Sequence, residues 1–300
     1  QPGETAADVA LRLHNVGLIR DASIFRLFLQ YYGIDRRIEA GRFQLTPAMS
    51  SHEIAQALLR AGGNDVVLVT LEGWRLEQMA QAVEAAFGLG AEFQALASTD
   101  PVGLAPAWLG RPPEVANLEG VLFPETYRFY PDAAAEDLVA TMVETFEQRF
   151  TAAHRQRAEE LVLTPYQVVV LASIVEREAQ VADERPLIAA VFHNRIRLGM
   201  RLEADPTVQY ALGYQASTGR WWKVPLLARD LTDTLSPYNT YQHPGLPPTP
   251  ICSPGLASIE AVLWPADVQY LYFVARGDGS HVFSTSFDEH LRNVARYQGG

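Results

Sequence analysis

Three hundred residues, 48% hydrophobic and 20% charged, are enough to bury a sizeable core and to form roughly two domains. A formal net charge of −11 argues against a sequence-independent grip on DNA or RNA, which needs clustered Lys and Arg to displace phosphate counterions. The single cysteine, Cys252, excludes an intrachain disulfide and any Cys-x-x-Cys metal or redox pair.

In chain order, three segments near the front share one pattern: ETAADVALRLHNVG (4–17), SSHEIAQALLRAGG (50–63) and GWRLEQMAQAVEAAFG (73–88). Each sets a capping or turn residue before apolar positions at helical spacing and closes on glycine. Short strand-like pieces, GRFQL (41–45) and DVVLVTL (65–71), precede the second and third of these helices. Strand, turn and short helix is the grammar of a LysM-like, glycan-contacting module, and equally of plain α/β elements packed on a main domain. The residues STDPVGLAPAWLGRPPEVANLEG (98–120) form a Pro- and Gly-rich connecting loop, so the expected boundary separates a first region, 1–97, from a second domain, 98–300.

Beyond the loop, one long helix is expected over 134–160, a second over 165–181 and a third over 183–198. A Trp- and Pro-rich stretch, 220–254, leads to a hairpin turning at Gly277-Asp278-Gly279 and a closing amphipathic helix. Helices and hairpins segregate along the chain, which makes the fold class α+β. Apolar stretches run to about ten residues, short of the roughly 18 that cross a bilayer, and no signal-peptide pattern is present. QPGETAADVALRL opens inside a motif already under way, so an anchor or export signal could have been removed upstream.

The second of these helices carries LASIVEREAQ (171–180), where an apolar run from Val168 to Val175 meets Glu176 and Glu178 around Arg177. At about 100° per residue Glu176 shares a face with Val169, Ala172, Ser173 and Gln180, whereas Glu178 lies beneath Leu171, Ile174 and Val175. Apolar residues on both faces place the helix deep in the domain, and a carboxyl at the edge of such a core would hold a proton near neutral pH. The helical wheel leaves open which glutamate that is. It leaves equally open a helix simply emerging into solvent.

Three loops supply groups suited to a sugar, whose apolar ring faces stack on aromatics and whose hydroxyls need fixed partners. NLEGVLFPETYRFYP (117–131) brings Glu119, Glu125, Tyr127 and Arg128 beside Gly120 and Pro124. VFHNRIRLGMRLEADPTVQYALG (191–213) brings Asn194, Arg195, Arg201, Asp205 and Thr207, and the proline-bounded loop in 235–265 brings Ser236, Tyr238, Asn239, Thr240 and Tyr241. The histidines show no compact metal-ligand spacing, and there is no GxSxG elbow, GxGxxG or Walker pattern, so neither metal nor cofactor is expected.

Taken together, VTLEGWRLEQMA (69–80), LEGVLFPETYRF (118–129), ASIVEREA (172–179), VFHNRIRLGMRLEADPTVQYALG, SPYNTYQHPGLPPTPICSPGLASIEAVLWP (236–265) and YLYFVARGDGSHVFSTSF (270–287) resemble the MltG (YceG-like) family of endolytic murein transglycosylases. The resemblance implies a LysM-like N-terminal region followed by an α+β YceG-like catalytic domain. It further implies a single N-terminal membrane helix, absent from this sequence, with the bulk on the periplasmic or extracellular side. Peptidoglycan glycan strands are the implied substrate, and peptidoglycan synthases are candidate partners. By the family's motif the catalytic acid falls on Glu176, acting on the β-1,4 bond between N-acetylmuramic acid and N-acetylglucosamine to leave a 1,6-anhydro end. Glu119, Tyr127, Asn194, Asp205, Thr207, Ser236, Tyr238, Asn239 and Tyr241 are expected to bind substrate or support the acid, and Glu178 to pair structurally with Arg195 or Arg201. His193, where the family usually has an aromatic or aliphatic residue, and the tryptophans of 213–235 depart from the family pattern. A noncatalytic peptidoglycan-binding scaffold is the competing expectation.

Overall fold

Capping chemistry sets the helix starts that the sequence announces. The computed structural model describes residues 4–38, 41, 43, 45–59, 65–101 and 103–298, and its contacts divide the chain into two units.

The first unit comprises Gln1–Val67 with Arg128–Ala133. Thr5 and Asp8 form a capping box that opens α1 (Ala6–Asn15), Asp21 caps α2 (Ala22–Tyr31), and Ser50 with Glu53 boxes α3 (Ser51–Ala57). Leu13, Phe25, Leu29, Ile54 and Leu58 close a small core among them. The pattern of three similar segments passed over α2, although Asp21 signals its start. Of the strand expected over 41–45, Arg42 and Gln44 lie outside the described residues, and Gly41, Phe43 and Leu45 are not in a strand. The glycines expected to close α3 also lie outside the described residues. Strand β1 (Val66–Val69) pairs with β2 (Thr126–Phe129) in a two-stranded sheet.

The second unit comprises Leu68–Tyr127 with Ala134–Gly300. It contains α4 (Leu76–Phe87) and α5 (Gly90–Thr99), which pack on each other, while α5 also packs on α6 (Ala135–Arg149). The expected boundary at 97/98 therefore does not coincide with this division. The single helix expected over 134–160 is two, α6 and α7 (Ala152–Glu160). Between them Phe150 leaves helical geometry while fully buried, and the Thr151 amide donates to His154 Nδ1 at 3.1 Å as the next cap.

At the centre lies α8 (Pro165–Glu178), opened by a Thr164/Gln167 capping box with Pro165 in its first turn. It touches α7, α9 (Arg185–Arg197), α10 (Asp205–Leu212) and α12 (Leu256–Leu263). Neighbours all round explain why Val168 to Val175 are apolar on both faces and all buried. A short α11 (Ala228–Asp233) precedes the proline-bounded loop. Strands β3 (Tyr272–Ala275) and β4 (His281–Ser284) form the expected antiparallel hairpin, with Tyr272 opposite Ser284 and Ala275 opposite His281. Gly277 and Gly279 take φ of 90° and 89° in its turn, and α13 (Phe287–Tyr297) packs on both strands. The architecture is α+β. Among the described residues no single helix is long and apolar enough to cross a membrane.

Candidate active site

One face of α8 is read by the segment 250–258. Ser173 Oγ donates to the Val170 carbonyl at 2.7 Å, one turn back, and accepts from the Ile251 amide at 3.0 Å; Cys252 Sγ donates to the Ser173 carbonyl at 3.3 Å. Three residues on, Glu176 meets the start of α12. Its Oε2 accepts from Ser258 Oγ at 2.7 Å and from the Gly255 amide at 3.1 Å. Arg185, at the start of α9, donates through Nε to Ser258 Oγ at 3.2 Å and sets Nη2 3.8 Å from Glu176 Oε1. One carboxyl oxygen is thus fixed by two donors, while the other has a nearby cation and, among the described residues, no hydrogen bond. The side chain is 8% exposed.

This corrects one expectation. The apolar run does not clothe the Glu176 carboxyl; a backbone N–H, a hydroxyl and a guanidinium do. Burial makes the carboxyls of Glu119 and Glu178 reluctant to ionise.

Glu178 is half-buried, and the burial of its carboxyl together with the charge of Asp205 pushes it up to about 8, with Arg177 opposing. Tyr241 donates its hydroxyl to Asp205 Oδ1 at 2.7 Å, closing an acidic pair beside a phenol. The expected pairing of Glu178 with Arg195 or Arg201 is not formed. Arg195 bonds Glu203 Oε2 at 3.0 Å and the Leu271 carbonyl at 2.7 Å, and Arg201 donates to the Tyr241 carbonyl at 3.0 Å. Both guanidiniums are spent fastening their own loops.

The turn between β1 and α4 completes the neighbourhood. Gly73 donates to the Ser253 carbonyl at 2.9 Å, and Ser253 donates back to the Trp74 carbonyl at 2.8 Å. With φ of 75°, Gly73 lies so close to α8 that a Cβ there would sit 3.2 Å from Arg177 Nη1 and 3.7 Å from Glu176 Cγ. Burial weakens the hold of Arg177 on its charge, and its guanidinium lies 4.1 Å from the Trp222 ring centre. Arg75 similarly stands 4.1 Å over Tyr210 and 4.9 Å over Trp221.

Glu119 is buried beside that cluster. Its carboxyl accepts from the Leu76 amide at 3.0 Å, at the start of α4, and from the Tyr210 hydroxyl at 3.3 Å. Burial, then the charge of Glu77, raises it to about 8. The Tyr238 ring lies 4.8 Å from that of Tyr210, tilted by 47°, and its hydroxyl shares a hydrogen bond with Thr249.

Several expected site residues hold backbone. Asn239, fully buried, donates Nδ2 to the Leu231 and Thr234 carbonyls at 2.9 Å each and accepts from the Tyr241 amide. Asn194 donates to the Val268 and Tyr270 carbonyls, Thr207 to the Ala204 carbonyl, and Tyr127 to the Phe123 carbonyl at 2.6 Å. Ser236 Oγ accepts the Tyr238 amide within its own turn. Asn194 and Tyr127 fasten loops, and the Asp205–Tyr241 pair lies at the surface.

Residue reasoning missed Glu72, Arg185, Gly255 and Ser258. Glu72 and Ser258 stand inside quoted blocks, LEGW and SPGLAS, but nothing local links them to α8. That link is made by tertiary contact alone.

The YceG-like family model matches residues 1–296. The chain is 30% identical over 307 residues to an endolytic murein transglycosylase of Bacillus subtilis, covering 98% of this chain and 82% of that protein. It is 29% identical over 321 residues to an endolytic murein transglycosylase of Streptococcus pneumoniae, covering 98% of this chain and 57% of that protein. A crystal structure of a YceG-like protein from Listeria monocytogenes superposes with a TM-score of 0.67 at 32% identity, covering 97% of this chain and 95% of that one.

Proposed function

The chain belongs to the YceG-like family, and from that premise we propose that it is an endolytic murein transglycosylase with Glu176 as its acid and base. The observation that carries the residue assignment is the unequal treatment of the two oxygens of Glu176. Oε2 is held by Gly255 and Ser258, so a proton on Oε1 has a fixed direction and, among the described residues, no acceptor to satisfy.

In the first half of the reaction that proton passes to the glycosidic oxygen as the bond to C1 of N-acetylmuramic acid breaks through an oxocarbenium-like transition state. The carboxylate left behind is stabilised where it forms, by the Gly255 amide, the Ser258 hydroxyl and the Arg185 guanidinium, all in place beforehand. In the second half the same carboxylate takes the proton of the muramic acid C6 hydroxyl as its oxygen closes on C1. Protons balance, Glu176 is regenerated and no water is consumed. An intramolecular hydroxyl carries an effective concentration of roughly 10^5 M or more in good geometry, so no carboxylate nucleophile is required.

The test is Glu176→Gln beside Glu178→Gln, both checked for fold by circular dichroism, with glycan-strand digests analysed by mass spectrometry. Loss of anhydro ends by at least about a thousandfold in the first variant, with the second retaining activity, supports the assignment. Wild-type anhydro yield from Glu176→Gln overturns it, and strand binding without any product from the unaltered chain makes the protein a scaffold.

The same reading covers what surrounds the enzyme. We propose that the first unit is a LysM-like glycan contact, that the whole protein is anchored by an N-terminal membrane helix with this chain on the cell-wall side, and that peptidoglycan synthases are its partners. Family membership supports all three, and the short helices packed in the first unit support the LysM-like module.

A further inference from the structure

One guanidinium beside the acid keeps its donors unused. Arg177 follows Glu176 on α8 and is half-buried. Its Nε is buried with no hydrogen-bond partner, and among the described residues its Nη atoms have no hydrogen bond or ion pair either. The group is nevertheless held in place. Its guanidinium lies 4.1 Å from the ring centre of Trp222, a side chain 9% exposed, and its Nη1 sits 3.2 Å from the point that a Cβ on Gly73 would occupy. Glu176 Cγ lies 3.7 Å from that same point, so cation and acid flank one glycine. Arg75 shows what a structural guanidinium does in this neighbourhood. Set over Tyr210 at the same 4.1 Å, it gives Nε and Nη2 to the Glu77 carboxylate and Nη1 to the Tyr210 carbonyl, each at 3.1 Å. Arg177 has the aromatic support and none of the acceptors. A buried charged donor without a partner costs free energy, and one fixed beside the reaction centre leaves a place for an acceptor from outside.

We propose that Arg177 binds a carboxylate on the lactyl-peptide arm of the muramic acid residue being cleaved, and so selects that sugar over N-acetylglucosamine. The proposal rests on the reading of this site as a murein transglycosylase with Glu176 as its acid. The two sugars differ by the lactyl ether on C3 of muramic acid, and only that arm carries carboxylates. A bare strand offers the lactyl carboxylate itself; a strand with stem peptides has that carbonyl in an amide and offers the free carboxylates of the peptide. Both present the planar acceptor pair that a guanidinium fork fits. Of the charges around Glu176, Glu72, whose carboxyl lies against Gly255, repels an anion, and Arg185 is engaged with Ser258 and Glu176. Arg177 is the cation left open to one. Glu178, its other neighbour on α8, is pushed up to about 8 by burial and by Asp205, so near neutral pH it does not cancel the arginine's charge. Trp222, from the tryptophan-bearing stretch that departs from the family pattern, acquires a role by the same contact: it backs the guanidinium and leaves its edge free.

The experiment measures kcat and KM for anhydro-end formation by the whole chain on two pairs of glycan strands. One pair is bare strands with the lactyl carboxylate free or methyl-esterified; the other is peptide-bearing strands with the peptide carboxylates free or amidated. Wild type is expected to prefer the free acid of one pair by about 10- to 100-fold in kcat/KM, chiefly through KM, and the pair that shows the preference identifies which carboxylate is bound. In Arg177→Gln that preference is expected to fall to within about twofold. Arg177→Met, whose long apolar chain still packs on Trp222, carries the test should Arg177→Gln lose its folded circular dichroism signal. A wild type indifferent to both pairs, a folded variant that keeps the wild-type preference, or a variant slowed equally on acid and neutral strands overturns the proposal. Anhydro ends formed at the wild-type rate by Glu176→Gln overturn the underlying assignment instead, so the two failures are distinguishable.

Discussion

Glu119→Gln converts a buried, reluctant acid into its neutral isostere, and the consequence for stability can be worked through. In the unfolded chain this carboxyl ionises near its ordinary 4.5, whereas in the fold burial and Glu77 hold its proton to about 8. A group raised in the folded state adds no penalty below pH 4.5; the penalty grows as pH rises to 8 and is constant above. At about 1.36 kcal/mol per pH unit its full size is roughly 5 kcal/mol, of which about 4 kcal/mol accrues between pH 5 and pH 9. Glutamine keeps an oxygen for the Leu76 amide and offers an NH2 to the Tyr210 oxygen, so the local bonds survive the change. Glu178 titrates in a similar range but is present in both proteins and cancels from the difference. Urea unfolding at pH 5, 7 and 9 should show the variant gaining about 4 kcal/mol on wild type across the series, on the order of 10 °C in Tm. Parallel pH dependences, with a difference constant to within about 1 kcal/mol, would refute the buried-acid account of Glu119.

Two further substitutions probe the scaffold of the site. Gly120 has φ of 80°, and a Cβ there would lie 2.5 Å from Pro250 Cβ and 3.0 Å from Val169 Cγ1; Gly120→Ala is expected to cost about 2–5 kcal/mol from left-handed strain and overpacking together, read as a lower Tm by calorimetry. Ser258→Ala removes the shorter of the two donors on Glu176 Oε2 and the acceptor of Arg185 Nε. A charge-assisted bond of about 1.5–3 kcal/mol corresponds to roughly a 10- to 100-fold slower formation of anhydro ends, and a rate within twofold of wild type in a folded variant would contradict the role given to that hydroxyl.

How much of this was legible in the sequence follows from which contacts are local. Thr5 and Asp8, Ser50 and Glu53, and Thr164 and Gln167 announce three helices because capping residues bond within four positions of each other. The Gly277 and Gly279 turn announces the hairpin for the same reason. At Phe150 the local signal failed: the helical pattern runs on into α7, and only the burial of that ring and the bond between Thr151 and His154 break it. The helical wheel put Ser173 and Glu176 on one face, and that face meets Ile251, Gly255 and Ser258. No periodicity could name those partners, because they lie 78 to 82 positions away. Asn239 shows a signal that reads two ways. An amide in a proline-bounded loop suits a sugar and suits two orphaned carbonyls equally well, and the fold uses it for the carbonyls of Leu231 and Thr234.

Burial was the physical reason for expecting a protonated acid on α8, and by that criterion alone Glu178, pushed up to about 8, would be chosen over Glu176. Reach and reversibility decide otherwise. A residue that first donates and then reclaims a proton must be stabilised in its ionised form at the moment the glycosidic bond breaks. Ionised Glu178 would face Asp205, itself bonded by the Tyr241 hydroxyl, with only the partly buried Arg177 to offset the second charge. Ionised Glu176 would face the Gly255 amide, the Ser258 hydroxyl and Arg185. The first environment stores a proton; the second lets one leave and return.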